Sequence, residues 1–155
     1  MKSQMPVSLL QSECGSNLVE VAFVMPLLLL LLAGAVDFGR AYYQGIEVVG
    51  AAHAGAVYGS QFPTDTTGMI NAAKLDAPDV PGISATASWG CECADGSSHV
   101  ASCSSAPSCV SNTVYYVTVN ASAPYSTLLP WPGIPSSFIW SYSTTMRSGS
   151  TNTPF

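Results

Sequence analysis

The order of apolar and polar positions divides this chain into a rod and a sheet. From Leu18 to Val36 every residue but Glu20 is apolar, and the stretch includes the unbroken run Leu27 to Leu32. A bilayer core demands about 20 apolar residues in helical form, a length this stretch just meets. Pro26 lies inside it and removes one backbone donor, which predicts a kink; membrane helices tolerate such prolines. Past Val36 the helical reading continues as polar residues enter on one side. One helix is therefore expected over 16–60, with a transmembrane part over 18–36. Asp37 and Arg40, three apart, can meet on one face. Ala51, Gly55 and Gly59 recur at four-residue spacing and form a stripe of small side chains. Such a stripe lets another backbone approach closely, whether the protein's own sheet or a helix of another subunit.

Residues 61–81 read as a linker holding a short helix, Thr66 to Leu75, with N-cap candidates in Thr64-Asp65-Thr66 and a stop before Pro78 and Pro81. Three strands follow. Ile83 to Trp89 alternates apolar and small polar residues, Thr113 to Ala121 is rich in β-branched and aromatic types, and Phe138 to Met146 sets Phe138, Trp140 and Tyr142 on one face. Between the last two, Ala123 to Ser137 carries Pro124, Pro130, Pro132 and Pro135 and reads as an extended loop. Residues 148–155 read as a flexible tail. The expected fold is α+β: a long N-terminal transmembrane helix, a short helix, and a small antiparallel sheet of about three strands. The helix would stand outside an extracytoplasmic α+β domain over 61–147.

Charge sharpens this picture. Only 8% of residues are charged, against about 25% in a soluble globular domain. The four basic residues, Lys2, Arg40, Lys74 and Arg147, are scattered, and the formal net charge is -5. No basic stripe exists to follow a phosphate backbone, so nucleic acid is not an expected partner. Catalytic patterns are missing too. His53 and His99 are the only histidines, neither sits in an H-E-x-x-H helix, and there is no G-x-S-x-G elbow or phosphate-cradling glycine loop. Neither an enzyme, a cofactor nor a small-molecule substrate is expected.

Five cysteines are present. Cys91, Cys93, Cys103 and Cys109 crowd into one Gly/Ser-rich loop, while Cys14 stands apart. Disulfides among the four suit a small domain outside the cytoplasm, whose core buries limited apolar area. Zinc prefers paired C-x2-C knuckles, and this spacing is C-x-C followed by more distant single cysteines. No metal is expected. Three pairings are open, with Cys91–Cys93 the least favourable.

The decisive residues are Gly15-Ser16-Asn17-Leu18-Val19-Glu20 and the apolar run behind them. A glycine, then a helix start with a carboxylate at the fifth position, resembles the processing site of type IV prepilins. The longer segment from Ser16 to Ser60 resembles more narrowly the TadE-like family of pilus-assembly proteins. The resemblance is carried by Val19-Glu20-Val21-Ala22-Phe23, Met25-Pro26, Asp37-Phe38-Gly39-Arg40 and Ala52-His53-Ala54-Gly55-Ala56, and more modestly by Asn71-Ala72-Ala73 and Thr145-Met146-Arg147. The four-cysteine loop is not part of it.

That resemblance implies a prepilin-type leader over 1–15, cut between Gly15 and Ser16 by a prepilin peptidase. It implies a minor pseudopilin of a Tad (Flp) pilus or related secretion system, with a pilin-like fold. The protein would be a single-pass resident of the bacterial inner membrane, its C-terminal domain outside the cytoplasm. Other pilin-like subunits and the Tad assembly machinery would be its partners, and Glu20 would neutralise the N-terminal amine of a neighbouring subunit. Without a partner, Glu20 would sit in the first helical turn, stabilised by the helix dipole and interfacial water.

Two other classes fit some of these features. A membrane-anchored binding module could use Tyr125, Trp131 and Phe138 to engage a surface ligand. A freely secreted disulfide domain could be released by signal peptidase at Ala33-Gly34-Ala35, although the n-region before it is net negative where a positive one is required. A lipid anchor on Cys14 fails because no apolar stretch precedes it.

Overall fold

The structure is a computed structural model that describes residues 14–101, 103–105, 108–110 and 112–150; of 14–17, 105, 149 and 150 it describes the backbone alone. Helix α1, Cys14–Gln61, runs through Pro26 without a break. Helix α2 is Thr66–Asp76, and strands β1 (Ser84–Cys93), β2 (Thr113–Ser126) and β3 (Ser137–Ser150) form one antiparallel sheet in the order β1-β2-β3. The α+β expectation holds. The chain divides between Phe38 and Gly39 into two units, the first holding the apolar run and the second the sheet.

The second unit is built on side-chain period two. Along β2, Val117, Val119, Ala121, Ala123 and Tyr125 are buried, while the residues between them face away. From α1, Val48, Ala51, Ala52 and Ala56 pack into the same core, joined by Met69 and Ala73 of α2 and by Ala77 and Val80 beyond it. On the opposite face the strands are tied by hydroxyl pairs, Ser84 with Ser122 and Thr118 with Thr145, each at 2.9 Å. Helix α2 starts where the sequence puts a cap. The Asp65 carboxylate accepts the Gly68 amide at 2.8 Å and the Tyr58 hydroxyl at 2.8 Å. The Gly68 amide above all, then the Tyr58 hydroxyl, holds this carboxyl below the usual range.

Several boundaries differ from expectation. Strand β2 runs on to Ser126, through Pro124, which the proline-rich sequence assigns to a loop. Proline is tolerated there because β1 starts at Ser84, paired to Ser122, so no β1 residue lies opposite Pro124 to need its missing donor. The Pro124 carbonyl accepts the Gln44 side-chain amide at 2.8 Å instead. Strand β1 extends to Cys93, so Cys91 and Cys93 belong to the sheet rather than to the loop. Strand β3 continues to Ser150, and the Ser148 hydroxyl donates to the Ser60 carbonyl at 2.7 Å. The expected flexible tail therefore begins as strand. Residues 1–13 of the expected leader and 151–155 of the expected tail lie outside the described residues.

Candidate membrane and assembly site

The first unit is the simplest part of the site. From Leu18 to Leu32 every side chain is exposed, Phe23 by 81%, and an 18-residue window of the helix reaches mean hydropathy 2.5 with none of it buried within the chain. A core helix of a soluble protein would be covered by its own fold; this one is not. Burial of a large apolar side chain is worth roughly 1.5–3 kcal/mol, so the run as a whole has a strong drive to leave water. It is long and apolar enough to cross a membrane. Glu20 is exposed on this rod, beside Val21, Val24, Met25 and Leu28. Gly15 and Ser16 lie in the first turn of α1, where only the backbone is described.

In the second unit the small-residue stripe is already used. A Cβ built on Gly55 would lie 2.8 Å from the Met69 carbonyl oxygen and 2.9 Å from Val119 Cγ1. One built on Gly59 would meet the Met69 sulfur at 2.8 Å. Ala51 is fully buried in the same core. Within this chain Ala51, Gly55 and Gly59 seat α1 on α2 and β2.

The four cysteines of β1 and the segment after it form two disulfides, Cys91–Cys103 and Cys93–Cys109, with Cα separations of 5.2 and 5.4 Å. Both start from the core face of β1 and draw the following segment back over the strand. Val100 then pairs with Cys91, its amide donating to the Cys91 carbonyl at 2.8 Å and its carbonyl accepting the Cys91 amide at 2.9 Å. Gly90 is needed beneath this crossing, because a Cβ there would collide with the Val100 carbonyl and the Tyr116 ring.

Sequence reasoning missed what the crossing encloses. Glu92, between the two cysteines, points to the opposite face and is only 2% exposed. It is paired with Arg147 Nε from β3 and, at 2.7 Å, with His99 Nδ1. The signal was the acid in Cys91-Glu92-Cys93: with both cysteines turned inward, period two turns the residue between them outward, beneath the loop. A carboxylate this deep is tolerated only when paired. Another unforeseen pair links the Tyr43 hydroxyl to Asp79 Oδ2 at 2.9 Å. That bond, then the Asp79 and Glu47 charges, pushes the Tyr43 phenol up to about 12.

The three aromatic residues open to a binding module do not lie together in one loop. Tyr125 is buried in β2 against Phe138 of β3, with ring centroids 5.2 Å apart, and only Trp131 lies between the strands. Among the described residues, no group of three or more His, Cys, Asp or Glu is placed to hold a metal ion.

No curated protein and no solved structure matches the chain. A family model described as TadE-like protein matches residues 15–57, from the foot of the apolar run into the buried stripe. Over that segment, which holds the apolar run and Ala51 and Gly55 of the stripe, the chain is similar to the TadE-like family.

Proposed function

We propose that the chain is a minor pseudopilin of a Tad (Flp) type IV pilus or a related secretion system, acting by assembly and not by catalysis. The observation that carries this is the apolar rod, exposed from Leu18 to Leu32 with one carboxylate near its start, inside a segment that matches the TadE-like family. In this reading a prepilin peptidase cuts between Gly15 and Ser16, and a residue without a side chain at Gly15 suits a narrow protease cleft. The mature helix anchors the protein in the inner membrane, with the sheet domain outside the cytoplasm. Two disulfides agree with an oxidising compartment there.

Glu20 then does the work of recognition. A carboxylate carried into the mouth of an apolar layer is costly unless a cation meets it. The freed amine of a neighbouring subunit supplies that cation and fixes the axial register between the two rods. Because Ala51, Gly55 and Gly59 are buried within the domain, contact between subunits falls to the apolar run. A folded sheet of this size also suits a minor or priming subunit better than a major Flp pilin, which is mostly helix. The test is Glu20→Ala. Processing should be unaffected, while co-purification with other pilus proteins falls several-fold; undiminished co-purification would remove Glu20 from the assembly step.

A further inference from the structure

We infer that the β2–β3 hairpin tip, residues 127–136, is a second membrane contact that seats in the lipid headgroup region beside the anchor. This rests on the reading that the apolar run of α1 lies in the bilayer.

Contacts inside the second unit fix which end the tip occupies. Along α1 and β2, Gly59 lies against Val117 and Gly55 against Val119. Gln44 then bonds the Pro124 carbonyl, and the Arg40 guanidinium stands 5.9 Å above the Tyr125 ring. The strand thus climbs toward its tip as the helix descends toward its N-terminus. Chain connectivity places Val36, the last residue of the apolar run, four positions before Arg40. Four helical residues rise about 6 Å, and the same number in a strand about 13 Å. The tip therefore lies at the end of the second unit where the chain joins the apolar run.

The chemistry of the tip matches that position. Leu128, Leu129 and Ile134 are exposed by 58%, 41% and 37%. No Asp, Glu, Lys or Arg occurs between Asp95 and Arg147, so a chain that is acidic overall presents no charge here to an anionic surface. The apolar groups are also held in place before any contact. The Thr127 amide donates to the Ser136 carbonyl at 3.0 Å and the Ile134 amide to the Trp131 carbonyl at 3.2 Å. Pro132 followed by Gly133 at φ 81° makes this a type II turn. A Cβ on Gly133 would meet nothing within 4 Å, as expected of an outermost point. Trp131 on this turn, with Tyr42 and Tyr43 exposed on α1 next to Arg40, gives the aromatic belt and nearby cation typical of a membrane–water boundary. An apolar tip without charge, next to a bilayer, is accounted for by lipid.

The test uses the full chain in vesicles of phosphatidylethanolamine and phosphatidylglycerol doped with a phosphatidylcholine brominated near the headgroup end of its acyl chains. Trp131 is one of three tryptophans. Brominated lipid should therefore remove about one third of the emission from the unaltered chain and almost none from Trp131→Phe, if Trp131 sits at headgroup depth. Equal quenching of the two proteins would overturn the inference. So would loss of Trp131 emission to aqueous iodide, or shielding from both quenchers, which would mean a protein partner covers the tip. Alkaline carbonate separates the two levels: a chain that stays in the vesicles with Trp131 in water refutes the tip alone, and a chain that washes out refutes anchor and tip together.

Discussion

Gly55 of α1 and Val119 of β2 approach so closely that an added Cβ on the glycine would stand 2.9 Å from the valine's Cγ1 and 2.8 Å from the Met69 carbonyl. A backbone carbonyl cannot move aside as a side chain can. Gly55→Ala should therefore destabilise the sheet unit by about 1–3 kcal/mol, despite the better helix propensity of alanine. Gly59→Ala meets the flexible end of Met69 at 2.8 Å and Val117 Cγ2 at 3.0 Å, side chains rather than backbone, and should cost less than Gly55→Ala, about 1 kcal/mol. Denaturation of the two variants in detergent micelles checks this; equal effects would mean that the stripe does not seat the helix as described.

The disulfides close loops with sequence separations of 12 and 16. Loops of that size are worth about 3 kcal/mol each in the chain-entropy account. Cys91, Cys93, Cys103 and Cys109 should resist thiol reagents in the folded protein and label fully after reduction. Peptide mapping under non-reducing conditions should join Cys91 to Cys103 and Cys93 to Cys109. Any other joined pair would show that the crossing over β1 is wrongly drawn.

Tyr43 gives a pH signature with a definite sign. Its phenol is raised from 10.0 to about 12, chiefly by the bond to Asp79. A raised acid favours the protonated form in the fold, so its contribution is complete below pH 10 and is lost as pH rises through about 12. Phenolate absorbance should show one tyrosine ionising late, and Asp79→Asn should return it toward 10.0. A late tyrosine that persists in the Asp79 variant would assign the shift elsewhere.

Much of this architecture was legible because its signals were local. Apolar length marked the rod, Asp65 marked the start of α2, and alternation at Thr113 to Ala121 marked β2. What escaped reading depends on chain segments meeting across the fold. Pro124 looked like a strand breaker because the sequence does not show that β1 has ended beside it. Cys91 and Cys93 looked like loop residues because Gly and Ser follow them, although pairing with Tyr115 and Thr113 holds both in the sheet. Glu92 and Arg147 are 55 positions apart, and nothing local to either announces the pair. The stripe at Ala51, Gly55 and Gly59 was visible, but which surface it met was not.

A pseudopilin identity turns on one covalent fact about the start of the membrane helix. Edman or mass-spectrometric sequencing of the chain purified from membranes of peptidase-containing cells reads that fact directly. A mature N-terminus at Ser16, with the apolar run retained, is the predicted result. A chain that keeps the residues before Ser16, or one that starts at Val36 with the run removed, would contradict it.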